Sequence, residues 1–197
     1  MSVADPSLLA KVAQSLSRPP VDAPTGTSGS ILSVAAKSYG ARPDDDDLTI
    51  PTGFDPRAAA LFEAVVEAAY LVANADGEFD DDERRAFLSV VLEAAGKAVE
   101  ERQVNALVED LAELLEEDGL DARIRMIGRT VTKPPHQREV LRIAALLAHI
   151  SGGVSDVERD VLTKIASAFA FGDDAVQEAL GEAEKALASL ALEVAGG

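Results

Sequence analysis

No cysteine occurs in this chain of 197 residues, which excludes disulfides, thiolate metal sites and thiol nucleophiles. Long apolar runs are missing too. No stretch approaches the roughly 18 uncharged apolar residues that a membrane-spanning helix needs. The opening MSVADPSLLAKVAQSLSRPP has no basic segment leading into a long apolar run, so no secretory signal is expected. Positive charge is scarce, with 18 basic against 35 acidic residues and a net charge of −17. A field of that sign repels nucleic acid and anionic lipid and favours cations and basic partners. No nucleophile–base pair, phosphate loop or cofactor motif is visible, so the chain is not expected to be an enzyme. A cytoplasmic protein with protein partners is the resulting expectation.

What is present divides near Phe54. Residues 18–54 contain RPPVDAPTGTSGS and ARPDDDDLTIPTG, too poor in buriable side chains to order themselves well. Residues 1–54 therefore read as a flexible N-terminal tail that tethers a partner, with the acidic run Asp44–Asp47 as a recognition peptide or a solvated linker. Within the tail, Asp5-Pro6 starts a short helix to about Ser17, and SILSVAAKSYG forms another ending at Gly40. Helices this short are marginal in water, so if ordered they must dock on something.

From Asp55 onward apolar residues recur three and four apart and strand-like alternation is absent, which makes the fold all-α. The pattern predicts helices from Asp55-Pro56 to about Asn74, then over 81–95, 100–117, 121–131, 135–150, 156–170 and 173–194. The first, with only Glu63 and Glu67 strongly polar in its interior, is predicted to be central. Residues 55–197 are expected to fold on their own.

The stretch VANADGEFDDDE, residues 72–83, partly fits the twelve-residue calcium-loop template. Asn74, Asp76, Gly77, Phe79, Asp80 and Glu83 fall at positions 3, 5, 6, 8, 9 and 12. Position 1 fails, because Val72 stands where an aspartate ligand belongs. The same residues also read as a turn and a helix cap: Gly77 ends one helix, Asp80 and Glu83 form a capping box, and Asp81 and Asp82 suit the positive end of the next. Shifting the chain by 75 residues brings the stretch over a second copy, with Ala73/Ala148, Gly77/Gly152, Asp81/Asp156, Glu83/Glu158 and Arg84/Arg159 identical. Ser155 to Glu158 is the second capping box. A helical hairpin is thus used twice. His149 occupies the repeat position of Asn74 and is either a contributor to the same centre or a histidine at a helix end. Glu67 and Arg142 are repeat-equivalent as well, which suggests a salt bridge across a pseudo-twofold axis.

This pattern, an apolar helix, A-D-G-E-F-D-D-D-E-R and an amphipathic helix, repeated after a middle segment and followed by AFAFGDDAVQEAL, resembles the TerB-like family associated with tellurite resistance over about residues 58–182. The resemblance implies a bundle of about seven helices whose two hairpins face each other around an acidic, metal-binding centre. It also implies a non-enzymatic module in stress-response systems. The second copy departs from the pattern at Ser151 and Gly153, where acidic residues are expected. Asn74, Asp76, Asp80, Glu83, His149 and Glu158 are the candidate ligands, and their oxygens suit weakly held calcium or magnesium. The alternative expectation is a metal-dependent hydrolase using Asp76, Glu83 and His149. Acidic residues gather over 100–118 and basic ones over 123–142, which offers a bipolar docking surface or simply two solvated faces.

Overall fold

Nine α-helices and one 3-10 turn make up the computed structural model, which describes residues 5–20, 23, 25–43, 53–77, 79–151 and 153–195. Among these residues there is no strand. In chain order the helices are α1 Pro6–Ser17, α2 Ile31–Gly40, α3 Pro56–Ala73, α4 Asp81–Ala94, α5 Glu101–Asp118, α6 Leu120–Thr130, α7 Pro134–Ala148, α8 Asp156–Ala168 and α9 Asp173–Ala195; the 3-10 turn His149–Ser151 follows α7. The seven helices expected after Asp55 are all present, and each begins within one residue of its predicted start. Local chemistry explains this. Asp55 Oδ1 accepts from the Arg57 N–H at 2.9 Å, Asp80 Oδ1 from the Asp82 and Glu83 N–H groups, and Ser155 Oγ from the Glu158 N–H, so three of the starts are written in their own cap residues.

α3, α7 and α8 pack together at the centre. α3 and α7 pack on each other, and their apolar faces, with Phe62 and Leu71 from one and Leu141, Ile143 and Leu146 from the other, are essentially fully buried. No helix is long and apolar enough to cross a membrane among the described residues. Glu67, deep in α3, is also buried. Its partner is not Arg142: Arg123 of α6 donates from Nε to Glu67 Oε1 at 2.6 Å, and from Nη1 to Asp118 Oδ2 at 3.0 Å. The repeat places Glu67 and Arg142 in equivalent positions, but α6, which lies outside the repeat, reaches Glu67 first.

α1 and α2 dock on this bundle. α1 lies against α4 and α9 and buries Val12, Ala13 and Leu16; α2 lies against α3 and buries Ile31, Leu32, Ala35, Ala36 and Tyr39. All of these residues belong to one continuous core with α3–α9. The expected boundary near Phe54 therefore does not coincide with a gap in packing. Each large side chain buried here contributes about 1.5–3 kcal/mol, and this tertiary gain is what a short helix judged in isolation lacks. Asp44–Asp47, the suggested recognition peptide, lies outside the described residues.

Candidate acidic centre between the hairpins

The first hairpin turns through Asn74, whose carbonyl accepts from the Gly77 N–H at 3.1 Å. Gly77 has φ 77°, a backbone that an L side chain adopts only under strain, so glycine is required there. Phe79 then pins the turn inward, packed edge-on between Tyr70 and Phe87 with ring centroids 5.6 and 5.8 Å away. Phe79 thus serves the core, where the loop template had only a generic apolar position.

Glu83 is the electrostatic focus. It is half-buried and borders a cavity of about 20 Å³ with Phe79, Phe87, Leu147 and Ile150. Burial pushes its pKa above the usual carboxylate value; the Asp80 N–H pulls it back, and the carboxylates of Asp80, Asp76 and Glu158 push it up again. Glu158 of the second hairpin is the weakest of these influences on Glu83. Four of the six expected residues, Asp76, Asp80, Glu83 and Glu158, therefore share one electrostatic neighbourhood.

Much of their ligand capacity is already used. Asp80 Oδ1 caps α4 through two N–H bonds of 2.8 Å, and the Glu83 N–H in particular holds its pKa below the usual value. Glu158 Oε2 accepts from the Ser155 N–H at 2.7 Å and the Ser155 hydroxyl at 2.9 Å. Asn74 is the C-cap of α3, and its main-chain N–H bonds Tyr70 O at 2.9 Å. Among the described residues, no group of three His, Asp or Glu side chains is arranged to hold a metal ion. The residues present do not form a closed shell for a metal stripped of its water.

His149 is turned away from the centre. Its Nδ1 lies 2.8 Å from Ala145 O, and its Nε2 is 3.9 Å from Glu184 of α9. Its ring lines a separate apolar pocket with Leu8, Val12 and Leu187. The expectation that His149 joins Asp76 and Glu83 is thereby corrected: the polar neighbours of its ring are Ala145 O in its own helix and Glu184 of α9. Sequence reasoning also missed Glu139, which is buried in α7 and accepts from the Ile31 N–H at 2.8 Å, tying the start of α2 to the core. The only available signal was an acidic residue within an otherwise apolar helical stripe.

The raised pKa of Glu83 has a testable sign. For a carboxylate whose folded pKa exceeds its unfolded value near 4.5, the charged form is penalised in the native state. The penalty is present above the folded pKa and vanishes as pH falls towards 4.5. Glu83→Gln is therefore expected to raise the melting temperature at pH 7, with a gain that shrinks as pH is lowered to about 4; thermal melts at both pH values check it, and a gain that grew on acidification would overturn the assignment.

An all-α bundle built on a repeated helical hairpin is the class of protein defined by this fold. The family model of the tellurite resistance protein TerB matches residues 62–193, more than half of the chain. The chain belongs to the TerB family. No curated protein and no solved structure matches it.

Proposed function

We propose that this TerB-family chain is a non-enzymatic interaction module that docks a basic protein partner on its acidic surface, with a divalent cation held weakly between the hairpins. The observation that carries the reading is on α5. Asp110, Glu113, Glu116 and Glu117 are exposed on successive turns and take part in no ion pair among the described residues. The two acids of α5 that do have partners, Glu109 with Arg84 at 3.2 Å and Asp118 with Arg123 at 3.0 Å, show where neutralisation stops. A structural role would be served by those pairs alone. The unpaired carboxylates add to the −17 field and steer a cationic partner. Against hydrolase chemistry stands the orientation of His149 towards Glu184, which leaves Asp76 and Glu83 without an imidazole beside them.

Replacing Asp110, Glu113 and Glu117 together by lysine is expected to leave the fold intact, since all three are exposed, and to abolish capture of partners by the immobilised full chain. Partners held by the wild type should be released by raised salt. Retention of the same partners by the triple variant would overturn the reading.

The cation has its own test. Calcium or magnesium should raise the melting temperature by only about 1–3 °C, as expected for a weak ligand of the native state. The gain should disappear in the double variant Asp76→Asn, Glu83→Gln. Equal gains in both proteins would mean that the ions merely screen the net charge.

A further inference from the structure

Between α2, the start of α3, α7 and α9 lies a groove of about 860 Å³, within the size range of small-molecule sites. Its walls are largely apolar: Ile31 and Val34 come from α2, Leu61 from α3, Pro134 and Leu141 from α7, and Ala179 from α9. Val34 is 46% exposed, although it is one of the larger apolar side chains of α2. Pro20, Gly29, Ile31 and Val34 on its wall precede the family-matched stretch 62–193, so membership of the family does not supply this groove.

Some of the polar groups on its walls are already engaged. Arg138 Nη1 pairs with Glu178 Oε2 across the groove at 3.4 Å, and its guanidinium lies 5.1 Å above the Phe171 ring. Glu139 Oε1 accepts from the Ile31 N–H. Burial, aided by Lys133, pushes the His136 pKa down, which keeps that ring neutral near pH 7. Arg142 is buried without such a match. The nearest carboxylate, Glu139, is 3.9 Å from its Nη2, beyond hydrogen-bond range. Arg142 Nε and Nη2 are both shielded from solvent and have no hydrogen-bond partner. These two N–H groups lie on one edge of the guanidinium plane, the fork that grips a carboxylate with two parallel bonds. A buried charged donor pair left unmatched is costly and rare. Turning the guanidinium towards the groove it lines would break no hydrogen bond at either atom, since neither has one.

We propose that the groove binds a single-chain amphiphilic carboxylate of the fatty-acid class, its tail along the Val34, Leu61 and Leu141 walls and its head on the fork of Arg142. One negative charge is specified rather than two. Arg138 is already neutralised by Glu178, and the carboxylates of Glu178 and Glu182 on the α9 wall oppose a dianion.

Isothermal titration of the full chain with dodecanoate, 1-dodecanol and dodecylammonium tests the proposal. Dodecanoate should bind one to one and at least about tenfold more tightly than dodecanol, because only the carboxylate gains charge-assisted bonds. Arg142→Met should weaken dodecanoate about tenfold and leave dodecanol unchanged. Val34→Glu, at an exposed wall position that the fold does not depend on, should weaken both. No saturable binding of dodecanoate, equal affinity for the alcohol, tighter binding of the amine, or an unchanged affinity in folded Arg142→Met each overturns the site. If Arg142→Met does not fold, Val34→Glu decides: unchanged dodecanoate affinity overturns the site and weakened affinity supports it.

Discussion

Arg123→Ala is expected to destabilise the bundle by about 3–5 kcal/mol, the cost of leaving one member of a buried ion pair without its partner. Both side chains are almost withdrawn from solvent, at 12% and 8% exposure, and the Nε to Oε1 distance is 2.6 Å. Burial drives the Glu67 pKa up while the Arg123 hydrogen bond and charge hold it down; the same contact raises the Arg123 pKa. The Arg123 hydrogen bond and charge favour the ionised form of Glu67, and burial is the penalty that the pair carries. Removing Arg123 alone exposes that penalty. The double variant Glu67→Gln, Arg123→Met should recover most of the loss, because it removes both charges and keeps their volume. Urea unfolding of the three proteins reads the result. Equal losses in the single and double variants would show that packing, not charge pairing, matters at this site.

The second large effect should come from the N-terminal helices. Gly40, the last residue of α2, passes so close to the neighbouring chain that a Cβ added to it would lie 1.7 Å from the Ala98 carbonyl oxygen. That atom is backbone and cannot be turned aside. Gly40→Ala should therefore force the end of α2 away from the connection between α4 and α5 and cost about 3 kcal/mol, at the upper end for overpacking. Leu32→Ala should cost about 2–5 kcal/mol, since Leu32 is 1% exposed. Removing residues 1–43 should leave 55–197 cooperative but lower its melting temperature by about 10 °C or more, several kcal/mol at about 2–4 °C each for a chain this size. An unchanged melting temperature in all three would mean that α1 and α2 contribute nothing to the core they line.

Helix boundaries were legible in the sequence because their causes are local. Asp55, Asp80 and Ser155 each hold an N–H of the helix they start, so a reading of cap residues and period locates those starts without knowing what the helices touch. The hairpin repeat was legible for the same reason, since it is carried by the same cap and turn residues.

Long-range matters were decided elsewhere. Whether Glu67 meets Arg142 or Arg123 depends on where α6 crosses α3, and which groups His149 meets depends on how α9 packs on α7. Neither leaves a local trace, because side-chain direction changes by about 100° for each residue of helical phase. The docking of α1 and α2 was likewise invisible to propensity, which sees the entropy of ordering short helices but not the apolar surface waiting on α3 and α4. Sequence alone determined the helices, their caps and the repeat. Tertiary packing alone chose the partners of the buried charges and closed the groove at Arg142, because burial is a property of the assembled bundle and not of any segment within it.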